Sequence, residues 1–441
     1  MKEDRGRFGG EPCRVIGVLD DGARSLHPQA LAHLRQAHCV IGGERTLRLL
    51  AEHIDPEARL LDLGGALSQV PGWVAEAQQA GQRCVVLATG DPLCHGIAAY
   101  LASRLCIEAL EILPNLSTLQ LACARVGLPW QDIRIVSVHS RDAGEWVPGA
   151  DARHGLYALA RAAHAHARLA VLTSPDNTPD RIGRLLLAEG LGADFQCAVA
   201  QRLCQPEEAV SAALSVQELA ERRFADPNVV LLWRLQDKPQ PVLFGLPDAR
   251  YEQRHPDKGL ITKHEVRAVS LARLQLRRDS IVWDIGAGSG AVGLEAARLC
   301  EQGHVYAIEK NEEDHAIALR NRQALGVGNY SLVHGKAPAG LEHWPDPDAV
   351  FIGGSGGELG ELIHRVLQRL KPHGCLVMNF VTFENLGTAL ATLKEAAEAL
   401  PLHWDVLQLQ ASRSKPILQM QRLAAENPVW VVCASRGVAH A

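Results

Sequence analysis

The stretch Ile281-Val282-Trp283-Asp284-Ile285-Gly286-Ala287-Gly288-Ser289-Gly290-Ala291 constrains this chain more than any other part of it. A short apolar run breaks into alternating glycines and resumes as Ala-rich, helix-forming sequence, so the segment reads as strand, tight turn, helix. Glycines there let the chain turn sharply and let a ligand approach bare backbone. The N–H groups of the following helix then face a polar or anionic ligand group. His304 to Glu309 reads as a second strand. It ends in an acid roughly twenty residues past the first glycine, where a nucleotide-binding unit places a carboxylate for ribose hydroxyls. A nucleoside ligand is therefore expected.

The chain has 441 residues, which calls for two or three compact units. With 47% hydrophobic residues it can fill large cores. A net charge of -5 gives no electrostatic reason to expect nucleic acid, which usually needs a basic face. The eleven cysteines are scattered, without a Cys-x-x-Cys pair or a Cys/His cluster at zinc spacing. They read as buried thiols in a reducing compartment, and no metal is expected. No apolar run reaches the roughly 18 to 20 residues of a membrane span. Residues 1–11 are charged and Gly-rich and read as a disordered lead, so a cytoplasmic protein is expected.

The first half reads as α/β from its first ordered residues. Strands are expected at Cys13 to Leu19, Arg83 to Ala88, Ile133 to Val138, Arg168 to Thr173 and Val229 to Trp233, with a helix over Leu26 to Ala37. Asp91 suits an N-cap with Pro92 at the first helical position. Ser117 and Gln120 are spaced as a capping box. Residues 236–245 are polar and Pro-rich and mark a linker between domains at 12–235 and 246–441. In the second half Thr262 and Glu265 form another capping-box pair. Strands are expected at 281–285, 304–309, 330–334, 348–352, 375–380, 404–409 and 429–433. Seven strands fit a doubly wound sheet with the last inserted antiparallel.

The glycine spacing alone also satisfies a dinucleotide fingerprint, but Asp284, two residues before the first glycine, favours a different ligand. Asp-x-Gly-x-Gly-x-Gly resembles the first motif of class I S-adenosylmethionine methyltransferases, whose ligand has no pyrophosphate. Ile261-Thr262-Lys263-His264-Glu265-Val266-Arg267-Ala268, the glycine stretch, and Val350-Phe351-Ile352-Gly353-Gly354-Ser355-Gly356-Gly357 together resemble the precorrin C15-methylating, decarboxylating enzymes of cobalamin synthesis. The first half resembles the tetrapyrrole methylases, a fold of two α/β subdomains. The match lies in Ala88-Thr89-Gly90-Asp91-Pro92-Leu93, Pro114-x-x-Ser117 with Gln120-Leu121-Ala122, Trp130-Gln131-Asp132, and Val171-Leu172-Thr173-Ser174 before Asn177-Thr178-Pro179. Their fusion resembles the precorrin-6Y C5,15-methyltransferase (decarboxylating) family over nearly the whole chain.

The resemblance implies S-adenosylmethionine as cofactor and a corrinoid precursor as substrate. C5 would be methylated by the first domain. C15 methylation with loss of the C12 acetate carboxyl would belong to the second, giving precorrin-8. Cofactor contacts would come from Asp284, Gly286, Gly288, Gly290, Glu309, Gly335 and Ala337 in the second domain. In the first they would come from Gly90, Asp91, Pro92, Ser117 and Thr173. Thr262, Lys263, His264 and Arg267 are the candidate catalytic residues, and Arg141 joins Lys263, His264 and Arg267 as a candidate for substrate carboxylates. A homo-oligomer is expected, without nucleic-acid or membrane partners.

Two positions depart from the family pattern. Leu19 stands where a second glycine is usual, which would narrow the entrance above Gly17. Lys336 replaces the acid that ordinarily accepts from the adenine amino group, and an ammonium has no acceptor. Three rival readings stay open. The first domain could be a docking module only; the protein could be an RNA or protein methyltransferase, against which no Asn/Asp-Pro-Pro-Tyr type sequence follows the strand at 348–352; or it could be an NAD-linked dehydrogenase.

Overall fold

The structure is a computed structural model, and it describes residues 10–140, 142–236, 242–254, 261–354 and 357–437. Arg141, most of the disordered lead and half of the linker expected from sequence lie outside the described residues. The chain forms two compact units. One comprises residues up to Glu145, His166–Leu187 and Leu191–Gln236; the other comprises Trp146–Ala165, Ala188–Gly190 and Asp237 onward.

The first unit holds two five-stranded sheets. One is built from β1 (Cys13–Val18), β2 (Cys39–Gly42), β3 (Arg59–Asp62), β4 (Cys84–Thr89) and β5 (Leu110–Leu113), in the order β3-β2-β4-β1-β5. All its pairings are parallel. A parallel sheet is covered on both faces, which is why β1 and β4 are almost continuously apolar. Successive residues serve opposite cores: Val15 and Val86 pack with Val70 and Val74, while Ile16 and Leu87 pack with Leu34 and Leu50. The other sheet contains β6 (Arg134–Ser137), β7 (Arg168–Leu172), β8 (Phe195–Gln201), β9 (Ala209–Ser215) and β10 (Asn228–Arg234), ordered β6-β7-β10-β8-β9. Only β6 and β7 run parallel there.

The second unit is a seven-stranded sheet, ordered β13-β12-β11-β14-β15-β19-β16. Its strands are β11 (Ile281–Ile285), β12 (His304–Glu309), β13 (Tyr330–His334), β14 (Ala349–Ile352), β15 (Cys375–Phe380), β16 (Leu402–Leu409) and β19 (Val429–Arg436). β19 runs antiparallel between β15 and β16, as the sequence pattern required. Val282, Ala307 and Phe351 fill one face, and Trp283, Ile308 and Ile352 fill the other. Strand order reverses between β11 and β14, and the crevice outside their carboxyl ends is where sheets of this kind take ligands. A hairpin not foreseen from sequence, β17 (Ser412–Ile417) with β18 (Met420–Ala425), separates β16 from β19 in the chain.

The segments Trp146–Ala165 and Ala188–Gly190 bring a buried polar hub to this unit. Glu189, 3% exposed, accepts from Trp146 Nε1 at 2.7 Å and Arg322 at 3.1 Å, and pairs with His164 Nε2 at 2.9 Å. Burial acts to raise the Glu189 pKa, but His164 and Arg322 outweigh it and hold the carboxyl at about 2. These segments group with the second unit, although they precede the linker expected at 236–245.

Candidate functional site

At the carboxyl end of β11 the chain makes the turn that the glycines require. Gly286, Gly288 and Gly290 have φ of 73°, 56° and 79°, a left-handed region that residues with a Cβ rarely adopt. Gly286 and Ala287 both donate to Ile308 O, at 3.0 and 3.1 Å. A Cβ at Gly286 would lie 2.6 Å from Gly354 O, so the glycine run after β14 packs directly on this turn. Ser355 and Gly356 of that run lie outside the described residues.

Two carboxylates frame the turn. Glu309 at the end of β12 accepts from Gly288 N and Asn311 N, each at 2.8 Å, and so ties strand to turn. Asp284 is 1% exposed; its Oδ2 accepts from Gly293 N at 3.1 Å while Oδ1 has no partner. Helix Ala291–Leu299 approaches this closely because residue 293 is glycine, where a Cβ would stand 2.3 Å from Oδ2. Burial pushes the Asp284 pKa up to about 7, with the Gly293 N–H opposing and Glu309 adding. Tyr330 lies buried under the same turn, its hydroxyl also unpartnered. A Cβ on Gly290 would come 3.3 Å from that hydroxyl.

Buried polar atoms without partners are rare and call for a reason. An orphaned Asp284 oxygen beneath bare, left-handed backbone fits a ligand that brings a cationic amine together with a nucleoside. No basic side chain for a pyrophosphate is needed. S-adenosylmethionine matches these demands. Beyond β13, Gly335 N donates to Glu309 O at 2.9 Å, and Ala337 is 7% exposed. Lys336 forms an ion pair with Glu358 at 2.9 Å.

The candidate catalytic cluster divides. Thr262, Lys263 and His264 sit half-buried at the start of helix His264–Arg273. Arg267 does not join them. It is fully buried, donates to Glu295 at 2.7 Å, to Asp248 at 3.1 Å and to Thr262 O at 2.6 Å, and bonds Leu246 O. Its donors are spent inside the protein, so it is a structural residue and not a ligand for substrate carboxylates. The expected Thr262–Glu265 capping box is also absent. Lys263 is the N-cap with no side-chain cap bond, and Glu265 binds Arg413 at 2.5 Å instead.

In the first unit, Gly17 lies between two turns: a Cβ there would meet Gly90 O at 2.3 Å and Asn115 N at 2.8 Å. Gly90, with φ of 69°, donates to Val18 O at 2.8 Å. Asp91 does not cap a helix as expected, because the next helix begins only at Ile97. Its Oδ1 accepts from Leu93 N at 2.8 Å, closing a local turn just beyond Gly90. Ser117 forms the expected capping box with Gln120. Thr173 is buried with its hydroxyl donated to Asn228. Ser117 and Thr173 therefore shape this region, with their hydroxyls engaged inside the protein. Leu19 does not narrow an entrance, since it packs into the core with Leu119, Ala122 and Ala198. A cavity of about 340 Å³ adjoins Gly17, lined in part by His27, Gln29, Pro114 and Asn115.

Gly293, Tyr330, Asn115 and Glu358 were missed in the sequence. A glycine inside an Ala-rich helical run was the available signal for Gly293. A lone tyrosine opening a strand gave none.

A left-handed glycine turn over a seven-stranded sheet, in a chain with a second α/β unit before it, fits a two-module methyltransferase. Residues 13–220 match the tetrapyrrole (corrin/porphyrin) methylases, and residues 253–435 match the precorrin methyltransferase domain. Over 373 residues, 83% of this chain and 84% of the relative, it is 34% identical to a precorrin-6Y C(5,15)-methyltransferase [decarboxylating] of Sinorhizobium sp. A Mycobacterium tuberculosis protein with the same description is 30% identical over 84% of this chain and 87% of its own length. A cobalt-precorrin-6B C(15)-methyltransferase (decarboxylating) of Salmonella typhimurium is 38% identical over 180 residues, 41% of this chain and 91% of the relative. The chain belongs to the precorrin-6Y C(5,15)-methyltransferase (decarboxylating) family.

Proposed function

We propose that this chain methylates precorrin-6Y at C5 and C15 and removes the C12 acetate carboxyl as carbon dioxide, yielding precorrin-8 in cobalamin synthesis. The C5 step falls to the first unit, and the C15 step with decarboxylation to the second. The observation that carries this reading is the left-handed Gly286–Gly290 turn over the orphaned Asp284 oxygen, in a chain whose two halves match two methylase families.

Bound S-adenosylmethionine supplies an electrophilic methyl group on a sulfonium. Asp284 Oδ1 takes the donor's amine, and the spare lone pairs of Glu309 accept the ribose hydroxyls. Gly286 to Gly290 let the ligand approach the backbone without a Cβ between them. Methyl transfer to an electron-rich ring carbon needs in-line positioning and exclusion of water, so no acid/base dyad is required. Lys263, His264 and Thr262 stand at a helix amino end, whose free N–H groups and dipole favour the substrate's carboxylates.

The test is mass spectrometry of products from precorrin-6Y with the wild type and with Gly288→Asp. The wild type is expected to add two methyl groups and release one carbon dioxide. The variant is expected to add one methyl group and release none. A variant that still decarboxylates contradicts the assignment of the second unit. A variant yielding no methylated product makes the first unit a docking module.

Homo-oligomerisation is supported by the β17–β18 hairpin, where Leu418, Met420 and Leu423 are 94%, 65% and 73% exposed. Leu418→Asp with Leu423→Asp is expected to lower the mass seen by sedimentation, and an unchanged mass argues against this surface. Cytoplasmic residence is supported by eleven cysteines that are all free thiols. Among the described residues no helix is long and apolar enough to cross a membrane.

A further inference from the structure

Strands β16 and β19 pair again beyond the sheet. After a break at residues 410–411 and 426–428 they continue as β17 and β18, a two-stranded ribbon with Ser412 opposite Ala425 and Ile417 opposite Met420. The ribbon leaves from the carboxyl edge of the sheet. Leu409, the last residue of β16, is paired with Val429, and Trp430 beside it is paired with Phe380 at the end of β15. Helix His264–Arg273 brings its amino end to the same edge. Arg273 pairs with Asp405 at 3.2 Å, level with Val377. Ser270 Oγ accepts from Asn379 Nδ2 at 2.9 Å, further toward the end of β15. The helix therefore climbs toward the edge as its numbering falls, and His264 stands roughly 9 Å beyond Ser270 at the usual helical rise. Arg413, at the base of the ribbon, binds Glu265 in the first turn of that helix at 2.5 Å and Asp248 at 3.1 Å. Residues directly opposite each other in such a ladder share a face. The face that Arg413 turns to the helix therefore also carries Lys415 with Arg422 and, at its outer end, Ile417 with Met420. Leu423 lies on the other face, opposite Ser414.

Lys415 and Arg422 are exposed and stand directly across from each other, an arrangement in which like charges repel. Residues 410–425 hold three basic side chains and no acid, in a chain of net charge -5. Arg413 is spent on Glu265 and Asp248, whereas among the described residues Lys415 and Arg422 pair with no carboxylate. A cationic pair flanked by exposed apolar side chains suits a flat, largely apolar molecule that carries several carboxylates. A doubly wound sheet takes its ligand at this same carboxyl edge. We infer that this face of the ribbon is the outer wall of the tetrapyrrole site in the second unit: Lys415 and Arg422 bind side-chain carboxylates of the substrate, and Ile417 and Met420 pack against the edge of its ring. The inference rests on the function proposed above and deepens it. It supplies the cations that Arg267, spent in the core, cannot. Leu418 in the turn and Leu423 on the opposite face stay open to contact between copies.

The test is the initial rate of carbon dioxide release from precorrin-6Y by the full chain, with precorrin-6Y and S-adenosylmethionine varied in turn. Lys415→Gln and Arg422→Gln are each expected to raise the KM for precorrin-6Y about two- to fivefold, the size of an exposed ion pair, and the double variant about five- to twentyfold. The KM for S-adenosylmethionine is expected to stay at its wild-type value, which separates lost substrate binding from a damaged donor site. High salt is expected to raise the wild-type KM for precorrin-6Y toward that of the double variant. Ser414→Gln, on the opposite face, is expected to change neither constant. A double variant with the wild-type KM for precorrin-6Y overturns the wall; if its mass by sedimentation falls as well, this face is a contact between copies instead. An equal rise in Ser414→Gln and in the double variant also overturns it, since the effect then does not belong to the face. A wild type that releases no carbon dioxide from precorrin-6Y overturns the proposed function itself, and the wall with it.

Discussion

Asp284 is held by one backbone N–H and faced by a phenol that meets nothing. A carboxyl whose folded pKa is about 7 against an ordinary 3.8 is favoured in its protonated form. Its contribution to stability is present below pH 3.8 and is lost as pH rises through about 7. A cationic amine on Oδ1 favours the ionised form, so donor affinity should rise as pH climbs through that range. Calorimetry with S-adenosylhomocysteine between pH 6 and 8.5, roughly a unit either side of that value, checks the sign. Asp284→Asn should bind more weakly and lose the pH dependence. Arg267 makes the opposite point. Its charge near a helix start suggested substrate binding, and nothing local in the sequence pairs it with Glu295. The structure does so inside the core, at 2.7 Å. Arg267→Met should therefore destabilise by about 3–5 kcal/mol in denaturant unfolding, because Glu295 is left buried and uncompensated. Lys263→Ala, half-exposed, should cost little stability and act on substrate binding.

Among the elements, the turn after β11 was readable because each of its requirements is local: a buried strand, three glycines at left-handed positions and an acid before them. The expected effects of substitution differ sharply within it. Gly286→Ala puts a methyl 2.6 Å from Gly354 O at a φ of 73°, so donor binding should be abolished and the unfolding midpoint lowered. Gly354→Ala points its methyl into open space and should fold normally, which circular dichroism melting compares directly. Strands were legible where several branched residues are buried together, as in β11, β12 and β10. They were not at β2, though β6 and β14 are equally short and were legible, nor where the strand is mostly exposed like β3 and β9. The β17–β18 hairpin carries its apolar residues outward, so a pattern based on burial does not reveal it. The Asp91 and Thr262 caps failed for one reason: a cap residue followed by a suitable partner also fits a turn that precedes the helix.

At the scale of the whole molecule, the second unit is not the last half of the chain alone. Glu189 and helix Tyr157–Ala165 belong to it, and Tyr157 contacts His304 Nδ1 at 2.5 Å. Burial lowers the His304 pKa to about 3, so the ring is neutral in the fold. The stability it contributes is present above its ordinary 6.5 and is lost as pH falls toward 3. Glu189, held at about 2 against 4.5, loses its contribution over a lower range. Acid titration followed by tryptophan fluorescence should show the second unit weakening from about pH 6.5 downward. Glu189→Ala should destabilise by about 3–5 kcal/mol, since Arg322 is left buried without its carboxylate. Residues 237–441 expressed alone should be less stable than the same unit in the full chain. These contacts were beyond the sequence, because they join residues more than a hundred positions apart whose local patterns read only as helix and loop.

Both units are expected to hold methyl donor. The most direct measurement is isothermal titration of S-adenosylhomocysteine into the intact protein and into Gly288→Asp. Two sites in the wild type and one in the variant are expected. A single site abolished by the variant, or a stoichiometry that the variant leaves unchanged, would contradict it.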